Sequence, residues 1–337
     1  MKRIPFLLGA MLGAFIVMGD VAEIRKAAER GDIDAQFKLG VCYHNGEGIE
    51  KDLIEAAKWF RKAAERGDAS AQFNLAVCYA DGKGVEADRA EAVKWYRKAA
   101  EKGIAEAQGN LGFCYYNGEG IAMDKREAVK WFRKAAEQGF AQAQCNLGNC
   151  YKLGEGVAKD HSEAAKWFRK AAEQGYVDAQ VYLGNSYHGG EGVAENIMEA
   201  AKWWRKAAEQ GHAQAQHLLA LCYSYGDGVE KDMQEAVKWF RKAAEQGYSR
   251  AQNKLGRCYY DGEGVVKDVR EAAKWFRKAA EQGIAEAQLS FGICKYFGEG
   301  VAEDRQEAIK WFRKAADQGL EKAQKVLKLS ESNEQGC

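Results

Sequence analysis

Residues 53–65 read LIEAAKWFRKAAE, and close variants of this segment return at intervals of 36 residues along the chain. The tetrapeptide Arg-Lys-Ala-Ala within it has eight copies, which start at Arg61, Arg97, Arg133, Arg169, Arg205, Arg241, Arg277 and Arg313. A repeat of this length is one supersecondary unit that cannot bury its apolar face alone, so neighbouring copies must stack. The sequence therefore predicts a solenoid whose function lies on an extended surface and not in a single catalytic pit.

The first half of each unit has the spacing of a helix, which we name helix A. In the first copy, Ala35, Leu39 and Tyr43 are four residues apart and fall on one helix face. Helix A is therefore predicted over residues 34–45. The Gly46-Glu47-Gly48 turn ends it, because glycine adopts positive φ at little cost.

The second half of each unit predicts another helix, which we name helix B. Asp52 and Glu55 have the spacing of an N-cap and its capping-box partner. Gly67 is placed to end the helix. The predicted buried face consists of apolar side chains, which in the first copy are Ala56, Trp59, Phe60, Ala63 and Ala64.

The eight copies can be aligned with one another, and we number repeat positions by the first copy. The positions with one residue type in every copy include Ala35, Gly46, Gly48, Glu55, Ala56, Trp59, Ala63, Ala64 and Gly67. Position 40 is always Gly or Ala, which predicts a close approach of the two helices. Asn196 replaces the N-cap aspartate in copy five and still caps. Lys295 replaces tyrosine at position 43 in copy eight, so we expect that helix A to be less regular.

The charge balance and the recurrent polar residues argue against several classes of function. The chain has 50 basic and 49 acidic residues, a formal net charge of +1. Phosphate binding needs a basic stripe that this balance does not supply, so we expect no nucleic-acid partner. The five histidines lack metal-ligand spacing, and the Gly-x-Gly motif follows a helix rather than a strand. We therefore expect no enzyme activity, no cofactor and no bound metal.

The repeated residues resemble the Sel1-like repeat family, a relative of the tetratricopeptide repeat. The resemblance covers all eight copies and rests on Leu39-Gly40-x-x-Tyr43, Gly46-x-Gly48-Ile49, Asp52, Ala56, Trp59 and Lys62-Ala63-Ala64-x-x-Gly67. It implies an all-α, right-handed superhelical solenoid of antiparallel helix pairs, with eight 36-residue repeats and half-repeat caps. It also implies an adaptor or scaffold that binds a protein or peptide along a concave face formed by helices A.

The tetratricopeptide comparison places helix A positions 34, 37, 41, 44 and 45 in that groove, and these positions vary between copies. The predicted partner-binding residues are Phe37, Val41, His44, Phe73, Val77, Phe113, Tyr116, Asn149, Asn185, His188, His217, Tyr225, Tyr260, Tyr296 and Phe297. Phenylalanine and valine on an exposed face are costly unless a partner covers them, which favours a binding groove. The alternative is that these are solvent positions that drifted after duplication.

Two other functions stay open. A cysteine-rich branch of the family is linked to β-lactam or peptidoglycan binding and hydrolysis, which would make the chain an envelope enzyme or binder. That branch has paired cysteines at the places of Ala64 and Gln72, and no copy here has cysteine at either place. The remaining possibility is a purely architectural spacer, whose groove would tolerate charge.

Seven of the nine cysteines occupy repeat position 42, next to the core tyrosine. They are Cys42, Cys78, Cys114, Cys150, Cys222, Cys258 and Cys294. A small buried residue is the simplest interpretation of this position. Equivalent helices in adjacent copies lie about 10 Å apart, beyond the roughly 4.4–6.8 Å Cα separation of a disulfide. We therefore expect thiols.

The N-terminus has the pattern of a secretory signal peptide. Met1-Lys2-Arg3 is followed by an apolar stretch over residues 4–18, with a weak cleavage site that ends at Gly19. An uncleaved membrane anchor is the alternative, and it would be the only contact with a membrane. Unpaired cysteines are unusual in exported proteins, but burial would protect them. We expect an exported, periplasmic or secreted protein, the alternative being an inner-membrane-anchored or cytoplasmic one.

The predicted domain organisation follows from these segments. It consists of a signal peptide or anchor at residues 1–19, an N-terminal half repeat at 20–31, eight repeats at 32–319, and a capping helix with a polar tail at 320–337.

Overall fold

The computed structural model describes the backbone of residues 18–335 and the side chains of residues 21–330. Within this range the chain forms eighteen α-helices and no β-strand. The helices are α1 (Met18–Glu29), α2 (Ile33–Asn45), α3 (Leu53–Glu65), α4 (Ala69–Asp81), α5 (Arg89–Glu101), α6 (Ala105–Asn117), α7 (Lys125–Glu137), α8 (Ala141–Leu153), α9 (His161–Glu173), α10 (Val177–Gly189), α11 (Ile197–Glu209), α12 (Ala213–Tyr225), α13 (Met233–Glu245), α14 (Ser249–Asp261), α15 (Val269–Glu281), α16 (Ala285–Phe297), α17 (Arg305–Asp317) and α18 (Glu321–Gln335). The predicted all-α solenoid of helix pairs is confirmed. The even-numbered helices from α2 to α16 are helices A, and the odd-numbered helices from α3 to α17 are helices B.

The contacts divide the chain into two units, residues 1–179 and 180–337, and the division falls within α10. In the first unit each helix from α1 to α8 packs against the next one along the chain. In the second unit the same holds from α11 to α18. Helix α1 occupies the place of a helix B before the first repeat, and α18 occupies the place of a helix A after the last.

Each helix B begins at a side-chain cap, as the sequence predicts. Asp52 Oδ1 accepts hydrogen bonds from the backbone N–H groups of Ile54 and Glu55 at 2.9 and 3.0 Å. Asn196 Oδ1 accepts from the backbone N–H of Glu199 at 3.1 Å, so asparagine does cap copy five. The expected role of Glu55 as a capping-box partner is wrong. The Asp52 N–H donates instead to the Tyr43 carbonyl at 2.9 Å, and the Glu55 carboxylate pairs with Lys58 at 2.7 Å, one turn further along the exposed face.

The two glycines of the turn after helix A have different structural roles. The first is a left-handed C-cap: Gly154 has φ 73°, and its N–H donates to the carbonyl of Cys150 at 2.9 Å. The second packs against the preceding repeat. A Cβ on Gly156 would overlap the backbone carbonyl of Lys125, at the start of α7. The Gly-x-Gly motif therefore ends one helix and also allows two repeats to come into contact.

The helices of one repeat meet where position 40 lies against the aromatic ring at position 60. A Cβ on Gly148 would lie 2.6 Å from the Phe168 ring, so only a very small residue fits in this place. Phe168 and Leu147 are both fully buried in this contact region. The restriction of position 40 to Gly or Ala thus has the close-packing cause that the sequence predicts.

Neighbouring repeats are joined by a hydrogen bond between an arginine of helix B and a tyrosine of the next helix A. Arg133 Nη2 donates to the Tyr151 hydroxyl at 2.8 Å, and Arg241 donates to Tyr259 at the same distance. This polar contact lies at the edge of the apolar core. The arginine of the repeated Arg-Lys-Ala-Ala tetrapeptide is therefore a connection between repeats.

The helix A of copy eight is as long as the others, so the expected irregularity is wrong. Helix α16 has 13 residues, and the Lys295 carbonyl accepts from the backbone N–H of Asp304 at 2.8 Å. Lys295 Nζ pairs with the Glu307 carboxylate at 2.7 Å. This ion pair lies within copy eight, and the arginine of the preceding helix B, Arg277, pairs with Glu281 instead of with a tyrosine hydroxyl.

Most of the predicted signal segment, residues 1–17, lies outside the described residues, and α1 begins at Met18. Over residues 18–335 no helix has both the length and the apolar character needed to cross a bilayer.

Candidate functional site

The apolar residues predicted to line the groove in the first unit lie in its core. Val41, Phe73, Val77 and Phe113 are each less than 10% exposed. Their expected position on an open face is therefore wrong.

The cause is that helix A packs against helices B with more than one of its faces. The Phe73 ring lies 6.0 Å from the Tyr96 ring of its own helix B, and Phe37 lies 6.0 Å from Phe60 in the same way. Positions 37 and 41 thus contribute to the core in these copies. Their apolar character needs no partner to explain it.

The polar groove residues of the first unit are engaged within the fold. His44 Nδ1 lies 3.1 Å from Asn45 Oδ1, and burial lowers the pKa of His44. The Tyr116 hydroxyl donates to the Glu155 carboxylate in the turn of the next copy. Asn149 is half-buried. Tyr116 therefore connects copies three and four, whereas His44 and Asn149 are only partly covered.

The second unit differs because it exposes aromatic rings on helices A. Tyr225 at the end of α12 is 62% exposed, and Phe297 at the end of α16 is 65% exposed. Both occupy repeat position 45, where the neighbouring copy has Asp261. Aromatic side chains such as these are enriched in protein–protein interfaces.

Two other residues of the second unit that were predicted to line the groove contact the same tryptophan. Asn185 Oδ1 accepts from Trp204 Nε1 at 3.1 Å, and the exposed His188 ring lies 5.5 Å from the Trp204 ring. His217 packs elsewhere, against Phe240. The two histidines therefore do not share a site.

Tyr260 has the same structural role as Tyr116 in the first unit. Its hydroxyl donates to Glu299 of the next turn at 2.7 Å, and this bond raises the pKa of Tyr260 to about 12. It is a connection between copies seven and eight.

An apolar cavity of about 290 Å³ opens beside Phe297 at the C-terminal end of the second unit. Its walls come from α16, α17 and α18, and include Ile293, Tyr296, Phe297, Phe312, Val326 and Leu329. Leu329 is 65% exposed, so two large apolar side chains at this cavity face water. The structure thus brings the predicted residues Tyr296 and Phe297 together in one place.

Two polar cavities lie on either side of α14. One, of about 500 Å³, has His217, Arg250, Lys254 and Glu286 among its lining residues. The other, of about 490 Å³, is lined partly by Tyr225 and shares Lys254 and Arg257 with the first. The predicted residues His217 and Tyr225 therefore lie close to the same group of cations.

Our prediction from sequence did not include these cations. Arg250, Lys254 and Arg257 follow one another at four- and three-residue spacing, which places them on one face of α14. A comparison of the eight copies could have identified two of these cations from the sequence. Positions 34 and 41 carry a basic residue in copy seven alone.

His217 is a buried polar group of this region that lacks a partner at one ring nitrogen. It is 6% exposed, and its Nδ1 has no hydrogen-bond partner. Burial lowers its pKa to about 4, with smaller contributions from Lys254 and Arg250. The imidazole is therefore neutral at pH 7 and lies beside positive charge.

The eight cysteines within the described range are buried thiols. Burial raises the pKa of Cys78 and Cys150 to about 12 and that of Cys222 to about 11. Such groups carry almost no thiolate at neutral pH and are poor nucleophiles. Over the same range, no cluster of three His, Cys, Asp or Glu side chains could hold a metal ion.

Comparison with known proteins gives a family and two related structures. The Sel1 repeat model matches residues 33–68, 69–104, 105–140, 141–176, 177–212, 213–248, 249–284 and 285–320, one residue later than the predicted limits. A protective antigen of uropathogenic Escherichia coli with an SLR fold is 43% identical, with a TM-score of 0.85. The match covers 91% of this chain and 66% of that protein.

A Sel1 repeat protein from Oxalobacter formigenes is 35% identical, with a TM-score of 0.69, over 91% of this chain and 89% of its own. No curated protein gives a significant sequence match.

Proposed function

This chain belongs to the Sel1 repeat family, and from that membership we propose that it is a scaffold that binds a protein partner on helices A of its second unit. Proteins of this family generally mediate protein–protein interactions. The proposal narrows the predicted groove to residues 180–330. The buried residues of the first unit, such as Phe73 and Val77, have no part in it.

The observation that carries the proposal is the exposure of Tyr225 and Phe297 beside cavities. Both rings are more than 60% exposed, on helices whose other apolar residues are mostly packed. Each also lies at a cavity large enough for one or more side chains of a partner. Aromatic residues next to pockets are the common anchors of protein interfaces.

Affinity capture with the immobilised full chain tests this function. The test variant is Tyr225→Asp/Phe297→Asp, which places charge on both exposed rings. The control is Met198→Asp/Val266→Asp, because these apolar side chains are 59% and 86% exposed but do not lie on helices A. All three proteins should have equal helicity, since none of the four side chains is buried.

We expect mass spectrometry to find proteins that wild type and control retain and the test variant loses. Retention of the same proteins by all three would contradict the proposal. Loss from both variants would show that added charge abolishes binding wherever it lies on the surface, which would also contradict a site on helices A.

We also propose that the protein is exported. Support comes from the charged start and apolar run of residues 1–18, and from the description of the E. coli relative as a protective antigen. The mass of the mature N-terminus measures this directly. A chain that starts at Met1 in a cytosolic fraction would contradict export.

A further inference from the structure

We propose that the basic face of α14, with the adjoining parts of α12 and α16, binds the carboxylates of an acidic peptide segment of the partner protein. This inference rests on the proposed scaffold function and names the chemistry of its ligand. The residues that carry it are Arg250, Lys254, Arg257 and His217.

The first observation is that two of the three cations on α14 are peculiar to one copy, whereas Lys254 has a counterpart in Lys38 of the first copy. At position 34 the other copies have Asp, Ser, Glu or Gln where copy seven has Arg250. At position 41 they have apolar residues or Asn where copy seven has Arg257. Packing of the repeat does not require these two arginines, because seven other copies fold without them.

The second observation is that two of these cations have no carboxylate partner among residues 21–330. Lysines on helices B pair with a glutamate one turn earlier, as Lys238 does with Glu235 at 2.8 Å. Arg257 Nε lies 3.3 Å from Asp261 Oδ2, in a pair that is largely exposed. The structure gives Arg250 and Lys254 no ion pair, although Glu286 lines the same cavity.

The third observation is the buried Nδ1 of His217, which lacks a hydrogen-bond partner. A buried polar atom without a partner is costly, and such atoms are rare outside functional places. His217 lines the cavity that contains Arg250 and Lys254. A carboxylate oxygen that enters the cavity can accept an N–H from a neutral imidazole while it pairs with the cations.

The cavities favour a peptide over other anions. Each has a volume near 500 Å³, and apolar side chains share the walls with the cations: Phe276 and Ile284 on one side, Met233 and Phe240 on the other. An acidic residue with an apolar neighbour matches both kinds of wall. A nucleic-acid backbone needs cations over a longer stretch, and copies six and eight have none at positions 34, 38 and 41.

The test measures fluorescence anisotropy of a labelled peptide made of three Asp-Glu-Phe-Gly blocks, with an Asn-Gln-Phe-Gly peptide as the uncharged comparison. The full chain is titrated as wild type and as Arg250→Gln/Lys254→Asn. These replacements already occur at the same repeat positions, as Gln142 and Gln214 and as Asn74 and Asn110, so the variant should fold. The control Arg270→Gln/Lys310→Gln removes two exposed charges from helices B of the same unit.

We expect the acidic peptide to bind wild type and control equally and the variant at least tenfold more weakly. Binding should weaken with added salt, and the uncharged peptide should not bind. The ¹⁵N resonances of His217 should shift when the acidic peptide is added to wild type.

Equal binding to wild type and variant, or no binding of the acidic peptide, would overturn the inference. Displacement of the peptide by duplex DNA or inorganic phosphate at an equal concentration would also overturn it, in favour of a phosphate site. Neither result would contradict the scaffold function. In that case the affinity capture would still depend on Tyr225 and Phe297, and Arg250→Gln/Lys254→Asn would retain the same proteins.

Discussion

Gln138, the residue after α7, donates its side-chain Nε2 to Oε1 of Gln108 in α6 at 2.8 Å. Gln108 in turn donates its Nε2 to the Ala100 carbonyl at the end of α5, at 3.0 Å. One glutamine of helix A thus holds the helix B before it and the helix B after it. The glutamine pair recurs as Gln174–Gln144, Gln210–Gln180, Gln246–Gln216, Gln282–Gln252 and Gln318–Gln288.

The first two copies lack this pair, and restoring it should stabilise them. Arg66 and Lys102 stand in place of the donor glutamine and bond backbone carbonyls, while the buried Oε1 atoms of Gln36 and Gln72 have no partner. We expect Arg66→Gln/Lys102→Gln to raise the free energy of unfolding by about 1 kcal/mol per restored bond. Urea unfolding followed by circular dichroism measures it.

The reverse change provides the control for this prediction. Gln246→Ala removes the donor to Gln216 and should cost about 1–3 kcal/mol, because it leaves a buried oxygen unsatisfied. A neutral effect of both changes would show that the glutamine pairs do not contribute to stability.

The glycines with positive φ should differ sharply in their tolerance of alanine. Gly156 and Gly139 have φ of 71° and 90°, so alanine is strained at both, by about 1 kcal/mol or more. At Gly139 a Cβ meets nothing within 4 Å, whereas at Gly156 it overlaps the Lys125 carbonyl of the preceding repeat. We expect Gly156→Ala to lower the thermal midpoint far more than Gly139→Ala. Equal midpoints would mean that the repeats separate easily at this contact.

The position-42 cysteines should react slowly with thiol reagents in the native protein. Their raised pKa, about 12 for Cys78 and about 11 for Cys258, leaves little thiolate at pH 7.5, and burial blocks access. We expect native labelling by a maleimide to be slower than labelling in urea by at least a hundredfold, as counted by mass spectrometry. Fewer reactive thiols in urea than cysteines in the sequence would reveal disulfides.

His217 should make the second unit less stable in mild acid. Its folded pKa of about 4 lies below the ordinary value, so the unfolded chain takes up a proton that the folded chain excludes. The stabilisation is therefore complete above pH ~6.5 and is lost as the pH falls towards 4, by about 2 kcal/mol between pH 7 and pH 5. The cations Lys254 and Arg250 act in the same direction as burial.

The matched variant for this prediction is His217→Phe, since copies one and two have Phe37 and Phe73 at the same position. We expect its free energy of unfolding to lose this part of the pH dependence. Urea unfolding at pH 7 and pH 5 compares the two proteins. If wild type and His217→Phe lose the same free energy of unfolding between pH 7 and pH 5, the acid sensitivity belongs to other groups.

The helical framework was predictable because each of its residues has a local cause that is visible in the sequence. Asp52 caps a helix by bonding backbone N–H groups two and three residues further on, and Gly46 ends the preceding helix. Position 40 is always Gly or Ala because it packs closely against the ring of Phe60. Eight copies of each signal separate framework positions from variable ones. The helices and their stacking therefore followed from spacing, and the superhelical arrangement of antiparallel pairs followed from the family resemblance.

The groove was predicted less well because variability does not distinguish an exposed position from an adaptable core position. Positions 37 and 41 vary between copies, and yet Val41, Phe73 and Phe113 are buried, with the Phe73 ring packed against Tyr96. Replacement of Phe73 by aspartate should therefore unfold the first unit rather than abolish binding. Which positions of helix A are buried depends on how much of its circumference packs against helices B. A periodic sequence pattern does not give that extent.

The spacing of the contacts between repeats determines how the chain can lengthen or shorten. The bonds from Gln108 to Ala100, from Arg97 to Tyr115 and from Gln138 to Gln108 join residues 8, 18 and 30 apart, all shorter than one period. Excision of residues 105–140 would place Gln144 opposite Ala100 with the same offset, so these three types of bond would re-form. The bond from Tyr116 to Glu155 spans 39 residues and would be lost with Tyr116. A gene that encodes such a protein can gain or lose whole copies by unequal recombination and still specify a folded product.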